Sequence, residues 1–187
     1  MNFLLLTHGA GSNRNAPLLV ALATAFAEHE IQVVRYDLPF RQERPHGPPR
    51  PGDAARDREG LREQILKLRE KQPEQIWLGG HSYGGRQSSM LAAETPGLVD
   101  RLLLLSYPLH PPRKPEQLRT AHFPKLHTPA LFVHGSRDSF GSIEELKSAI
   151  SLIPAPVQLL EIERAGHELG RDHSAAAEKI VSSFLTA

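Results

Sequence analysis

Short apolar runs that alternate with helically spaced hydrophobics limit this chain to few folds. Residues 3–7, 31–36, 76–78, 102–105, 130–133 and 157–162 read as strands. Between them lie Leu18, Leu22 and Ala25/Phe26, then Leu61, Ile65 and Leu68, then residues 88–93, and then Ile143, Leu146 and Ile150. Ala176, Ile180 and Phe184 close the series; all of these spacings are helical. About six short apolar strands separated by amphipathic helices predict an α/β fold. Its sheet is mostly parallel, with helices on both faces. The 187 residues suit one domain, residues 1–187, with no room for a cap. In such sheets ligands bind at the carboxyl ends of the strands, so the residues just after each strand are the candidate site.

Two segments fit neither period. Residues 38–52 hold five prolines and residues 107–124 hold five more. Proline opposes regular structure, so both are expected as irregular loops above the same sheet edge, shaping a shallow pocket.

Gly80-His81-Ser82-Tyr83-Gly84 is a G-x-S-x-G run between a strand and a helix. The glycines permit a sharp turn that exposes the Ser82 hydroxyl. A serine hydroxyl is a poor nucleophile until a base takes its proton. His167, after the last strand and before the last helix, is the best placed of the ten histidines. Asp138 follows the strand at 130–133 and would orient the imidazole and balance its cation. Asp172 is the other candidate acid, but it lies close to His167 in sequence and reads as a helix cap. The order Ser82, Asp138, His167 is that of a nucleophile-elbow hydrolase. An oxyanion needs two donors. These are assigned to the backbone N–H of Tyr83 and of Ala10 in His8-Gly9-Ala10-Gly11, with Gly11 the alternative to Ala10. That glycine turn lacks the Lys-Ser/Thr pair of a phosphate loop. Tyr107 and His110 follow a strand near Ser82 and are candidate pocket residues, or else packing groups.

The segments at 7–11, 79–86, 105–112 and 133–141 carry a resemblance that extends over almost the whole chain. It resembles the α/β-hydrolases, especially the small cap-less group related to dienelactone hydrolases and to testis-expressed and KANSL-type hydrolase-like proteins. The resemblance implies a parallel sheet flanked by helices and a Ser-Asp-His triad. Two leading strands of larger members have no counterpart in this sequence. Ser82 stands where dienelactone hydrolases carry Cys, which favours ester-type substrates.

Composition narrows the partners. With 22 basic and 21 acidic residues the formal charge is +1, so neither nucleic acid nor an anionic membrane is implied. The chain has no cysteine, which removes disulfides and thiolate metal sites and fits a cytoplasmic location. Residues 3–6 lack a basic flank and are too few for a signal peptide, and no run reaches membrane-helix length. His122, His127 and His134 do not have metal-site spacing. The expectation is a serine hydrolase that takes a small-molecule acyl ester, without cofactor or metal. Two rivals remain: a non-catalytic hydrolase-like interaction module, which has no need of all three triad residues, and an acyltransferase using the same triad.

Overall fold

A computed structural model describes residues 1–186. The chain runs β1 (Asn2–Thr7), α1 (Pro17–Ala27), β2 (Ile31–Tyr36), α2 (Pro39–Glu43), α3 (Asp53–Arg69), β3 (Gln75–His81) and α4 (Tyr83–Glu94). It continues with β4 (Arg101–Leu105), a 3-10 turn (Phe123–Lys125), β5 (Ala130–Gly135), α5 (Ile143–Ile150), β6 (Val157–Ile162) and α6 (His173–Thr186). The six strands form one sheet in the order β2-β1-β3-β4-β5-β6, and every pairing is parallel. This is the α/β architecture expected from the alternating pattern, without a cap.

Alternation along β1 explains why its apolar run is continuous. Phe3 and Leu5 face one core with Phe40, Leu61, Ile65 and Leu91. Leu4 and Leu6 face the other with Leu18, Leu22, Ile180 and Phe184. Thus α1 and α6 cover one side, while α2 to α5 cover the other, and the central strands are buried on both faces.

One expectation fails locally. Residues 38–52 are not wholly irregular, because α2 occupies Pro39–Glu43. Pro39 takes the first helical position, where its missing N–H costs nothing. The buried Asp57 carboxylate accepts the Phe40 N–H at 3.0 Å and the Tyr83 hydroxyl at 2.7 Å, tying α2 to α3 and α4. The second segment also closes in an ordered turn at Phe123–Lys125. Ser142 and Glu145 form a capping box that opens α5.

The β3–α4 turn shapes the sheet edge that carries Ser82. A Cβ on Gly84 would lie 2.5 Å from the His8 carbonyl oxygen and 2.7 Å from Thr7 Cγ2. Alanine inside a helix ordinarily gains about 1 kcal/mol over glycine, but here the neighbour is strand backbone that cannot swing aside. Gly84→Ala is therefore expected to destabilise the fold by about 1–3 kcal/mol. Urea unfolding measures it, and an unchanged midpoint would mean that α4 can slide off β1.

Candidate active site

Ser82 sits at the junction of β3 and α4 with φ 52° and ψ −115°. This backbone conformation costs an ordinary residue about 1–3 kcal/mol. It is held by the Ser82 N–H donating to Leu105 O at 2.8 Å and by Arg86 N–H donating to Ser82 O at 3.0 Å. The turn raises the side chain above the sheet edge rather than into the core.

The loops after β5 and β6 bring two partners to it. Ser82 Oγ lies 2.8 Å from His167 Nε2, and His167 Nδ1 lies 2.8 Å from Asp138 Oδ2. With Nδ1–H donating to the carboxylate, Nε2 is free to accept the serine proton. Backbone joins the two loops, since Arg137 N–H donates to Ala165 O at 2.9 Å and Arg164 N–H to Ser136 Oγ at 2.8 Å. The His81 Nε2–H donates to His167 O at 2.8 Å, fastening the histidine loop to the elbow. The Phe140 ring stacks on the His167 ring, with centroids 4.3 Å apart.

The Asp138 side chain is 0% exposed, while His167 retains 19%. Burial by itself pushes the Asp138 carboxyl up. The hydrogen bond and charge of His167, the Phe140 N–H and the charge of His134 outweigh it, leaving the group below its ordinary value. Burial pushes His81 down, against its bond to the His167 carbonyl, so His81 is a neutral donor there.

A cavity of about 450 Å³ opens beside these groups. Gly9, Ala10, Gly11, Ser82, Phe140 and His167 are among its lining residues, with apolar cover from Ala16 to Leu19 at the start of α1. A larger hollow of about 710 Å³ lies at the opposite sheet edge, by Gln75, Trp77, Asp100 and Arg101. It contains neither Ser82 nor His167, and ligands of parallel sheets favour the carboxyl edge.

Ala10 and Tyr83 both border the serine. Tyr83 is the first residue of α4, where the N–H has no acceptor within the helix. Its phenol is turned away to Asp57, and burial together with that hydrogen bond pushes the phenol well above its usual range.

Two sequence expectations are corrected. Tyr107 is 0% exposed and packs on Phe123 and Phe132, its hydroxyl donating to Arg119 O at 2.7 Å. His110 is 5% exposed and is spent on Pro111 O at 2.8 Å and Glu145 at 3.4 Å. Neither lines the cavity; the second proline segment itself turns into the core as it leaves β4 and carries both residues with it. Neither proline segment forms the cavity wall, which comes from the β1–α1 loop, the start of α1, the elbow at His81 and Ser82, Phe140 after β5 and the histidine loop. Asp172 caps α6 by accepting the Ala175 N–H at 3.1 Å and takes no part beside His167.

Two neighbours went unrecognised in the sequence. Phe140 lies two residues beyond Asp138 in the same loop after β5, inside the segment at 133–141 that carried the resemblance. Arg41 lies in the first proline segment and sends its guanidinium to the Ala10 and Ser12 carbonyls; no pattern in the chain marks it. Among the described residues no group of three His, Cys, Asp or Glu side chains could hold a metal ion, and no helix is long and apolar enough to cross a membrane.

Solved structures share this arrangement of elements. An α/β serine hydrolase homologue from Coxiella burnetii is 22% identical, with a TM-score of 0.77, over 97% of this chain and 84% of its own. A dienelactone hydrolase from Anabaena variabilis is 20% identical, with a TM-score of 0.78, over 100% and 86%. A serine hydrolase without a lid from Xanthomonas campestris is 17% identical, with a TM-score of 0.72, over 98% and 83%. At these identities the likeness concerns the fold. A family model described as an alpha/beta hydrolase domain matches residues 1–182, and with the parallel sheet and the elbow already in place, the chain belongs to that alpha/beta hydrolase family.

Proposed function

We propose that this hydrolase cleaves small acyl esters through an acyl-enzyme formed on Ser82. The observation that carries the reading is the chain of two 2.8 Å contacts from Ser82 Oγ through the His167 ring to Asp138. Ser82 Oγ attacks the ester carbonyl carbon as His167 Nε2 takes its proton. The carbonyl oxygen becomes an oxyanion and lies between the N–H groups of Ala10 and Tyr83. The Asp138 carboxylate stabilises the imidazolium. His167 then returns the proton to the departing alcohol oxygen, the carbon–oxygen bond breaks, and the acyl group stays on Ser82. Water gives a proton to the same nitrogen, attacks the acyl carbon, and leaves with the acyl group as a carboxylic acid while Ser82 regains its proton. No step calls for a cofactor. A cavity of about 450 Å³ with apolar cover suits a small soluble ester better than a lipid in a micelle.

Covalent labelling with a fluorophosphonate probe tests this directly, with Ser82→Ala as the control and circular dichroism as the folding check. Label on the parent alone, together with turnover of short acyl esters, is the expected result. A folded parent that takes no label and cleaves no ester overturns the reading and leaves the interaction module. Acyl transfer to an added alcohol or amine in preference to water would reassign the same triad to a transferase.

A further inference from the structure

Arg41 takes a positive charge to a site where it is 6% exposed. Its donors meet carbonyl dipoles instead of a carboxylate. Nε donates to Ser12 O at 2.7 Å, Nη1 to Arg44 O at 3.0 Å, and Nη2 to Ala10 O at 2.9 Å and to Gly47 O at 3.0 Å. The guanidinium carbon lies 4.9 Å from the Phe40 ring centroid. Burying a charge on neutral partners is expensive. Four bonds from one rigid fork compensate by fixing two loops against each other.

Two of those four carbonyls belong to the loop that borders Ser82. Peptide planarity converts a held carbonyl into a held N–H, because the two groups of one trans peptide point in opposite directions. Arg41 grips the Ala10 carbonyl, so the Gly11 N–H points away from the guanidinium. The preceding peptide is held in the same manner. The Gly9 carbonyl accepts from His8 Nδ1–H at 2.8 Å and from the Ser12 N–H at 3.2 Å, so the Ala10 N–H points away from His8. His8 is fixed in turn, since the Leu38 N–H donates to its Nε2 at 3.1 Å and leaves the proton on Nδ1. Burial pushes His8 down, and the nearby Arg41 charge acts in the same direction, which keeps that ring neutral. Arg41 and the Leu38 N–H that fixes His8 both reach the loop from the β2–α2 region, across 29 to 31 residues of sequence.

We propose that Arg41, seconded by His8, is a positioning residue: Arg41 holds the Ala10 carbonyl and Ser12, whose N–H together with His8 holds the Gly9 carbonyl, and the pair so aims the Ala10 N–H as the oxyanion donor opposite Tyr83. The proposal rests on the hydrolase reading above. It makes the first proline segment part of the catalytic apparatus without touching substrate: residues 39–47 form the bracket that carries Arg41.

Arg41→Met keeps the length of the side chain and removes every donor. In that variant kcat per fluorophosphonate-titrated Ser82 is expected to fall by about 10- to 100-fold, part of the effect of losing one oxyanion donor. KM should stay within about threefold, because a ground-state carbonyl gains little from that donor. A short alkyl boronic acid, which adds Ser82 Oγ to boron and forms a tetrahedral anion, should lose affinity by about the same factor as kcat/KM. Arg41→Lys retains the charge and part of the bonding and should fall between the two. A merely structural role would lower the melting temperature while leaving kcat per labelled site and boronate affinity unchanged. Folded Arg41→Met with kcat within about twofold of the parent overturns the proposal. Should Arg41→Met not fold, Arg41→Lys with parental kcat and boronate affinity overturns it equally. A parent that neither labels nor turns over ester instead fails the hydrolase reading, so the two failures are distinguishable.

Discussion

Ser82→Ala and His167→Ala are each expected to reduce kcat on a short acyl ester by about 10⁶-fold, and the double variant to fall no further. The reason is that the two groups do one job. Without His167 the Ser82 hydroxyl keeps its proton and is a weak nucleophile. Without Ser82 the imidazole has no attacking oxygen held at 2.8 Å. A residual rate about 10³-fold above water should survive in all three variants, because substrate binding and the oxyanion donors remain. Stability should separate the singles even though activity does not. Ser82→Ala keeps a Cβ at the same strained backbone position. His167→Ala removes a hydrogen bond from an Asp138 side chain that is 0% exposed, and an unpaired buried charge is destabilising. Steady-state kinetics with active-site titration gives the first comparison and thermal melts give the second. Losses that multiply in the double variant would mean that the two residues act independently, and the triad would be abandoned.

The sequence revealed most of what local physics determines. Six apolar runs are six strands because the four central ones are buried on two faces and the edge strands β2 and β6 pack apolar side chains against both cores, and alternation such as Phe3 and Leu5 against Leu4 and Leu6 needs no tertiary knowledge. Ser82, Asp138 and His167 were legible for a related reason. In a parallel sheet every strand-to-helix turn falls on a single edge, so position after a strand becomes position in space. What escaped depended on where irregular chain goes after it leaves that edge. Tyr107 and His110 follow β4 as correctly placed residues should, yet the backbone at Ser106 adopts φ 49° and Tyr107 enters the core. Proline content told that residues 38–52 were stiff. It did not tell that Pro39 starts a helix, or that the helix delivers Arg41 to carbonyls 29 and 31 residues back. Long polar side chains that bond to backbone carry no periodic signal, and their partners are set by tertiary packing alone.

Asp138→Asn is expected to lower kcat by about 10⁴-fold while leaving the site almost the same shape. The loss comes from a misplaced proton. The carboxylate can only accept, so it fixes the His167 proton on Nδ1 and leaves Nε2 to receive from Ser82. An asparagine can turn its NH₂ toward Nδ1, which drives the imidazole proton to Nε2, where it opposes the serine hydroxyl. The Phe140 N–H, now 2.8 Å from Asp138 Oδ1, would bond the amide oxygen and favour that orientation. Stability should respond with a definite sign. Burial raises the Asp138 carboxyl, but the His167 bond and charge, the Phe140 N–H and His134 bring it below its ordinary value. A depressed carboxyl stabilises the fold above its unfolded value near about 3.9 and loses that contribution as pH falls through its folded value. The parent should therefore be more stable than Asp138→Asn at neutral pH, with the gap closing below about pH 4. Asp172→Asn is the matching control, since it alters only the cap of α6 and should leave kcat unchanged. Asp138→Asn with kcat within about tenfold of the parent, or a stability gap that widens on acidification, would mean that Asp138 does not hold the imidazole as an anion. The acid would then have to be sought elsewhere, although Asp172, engaged with Ala175, is not placed to provide it.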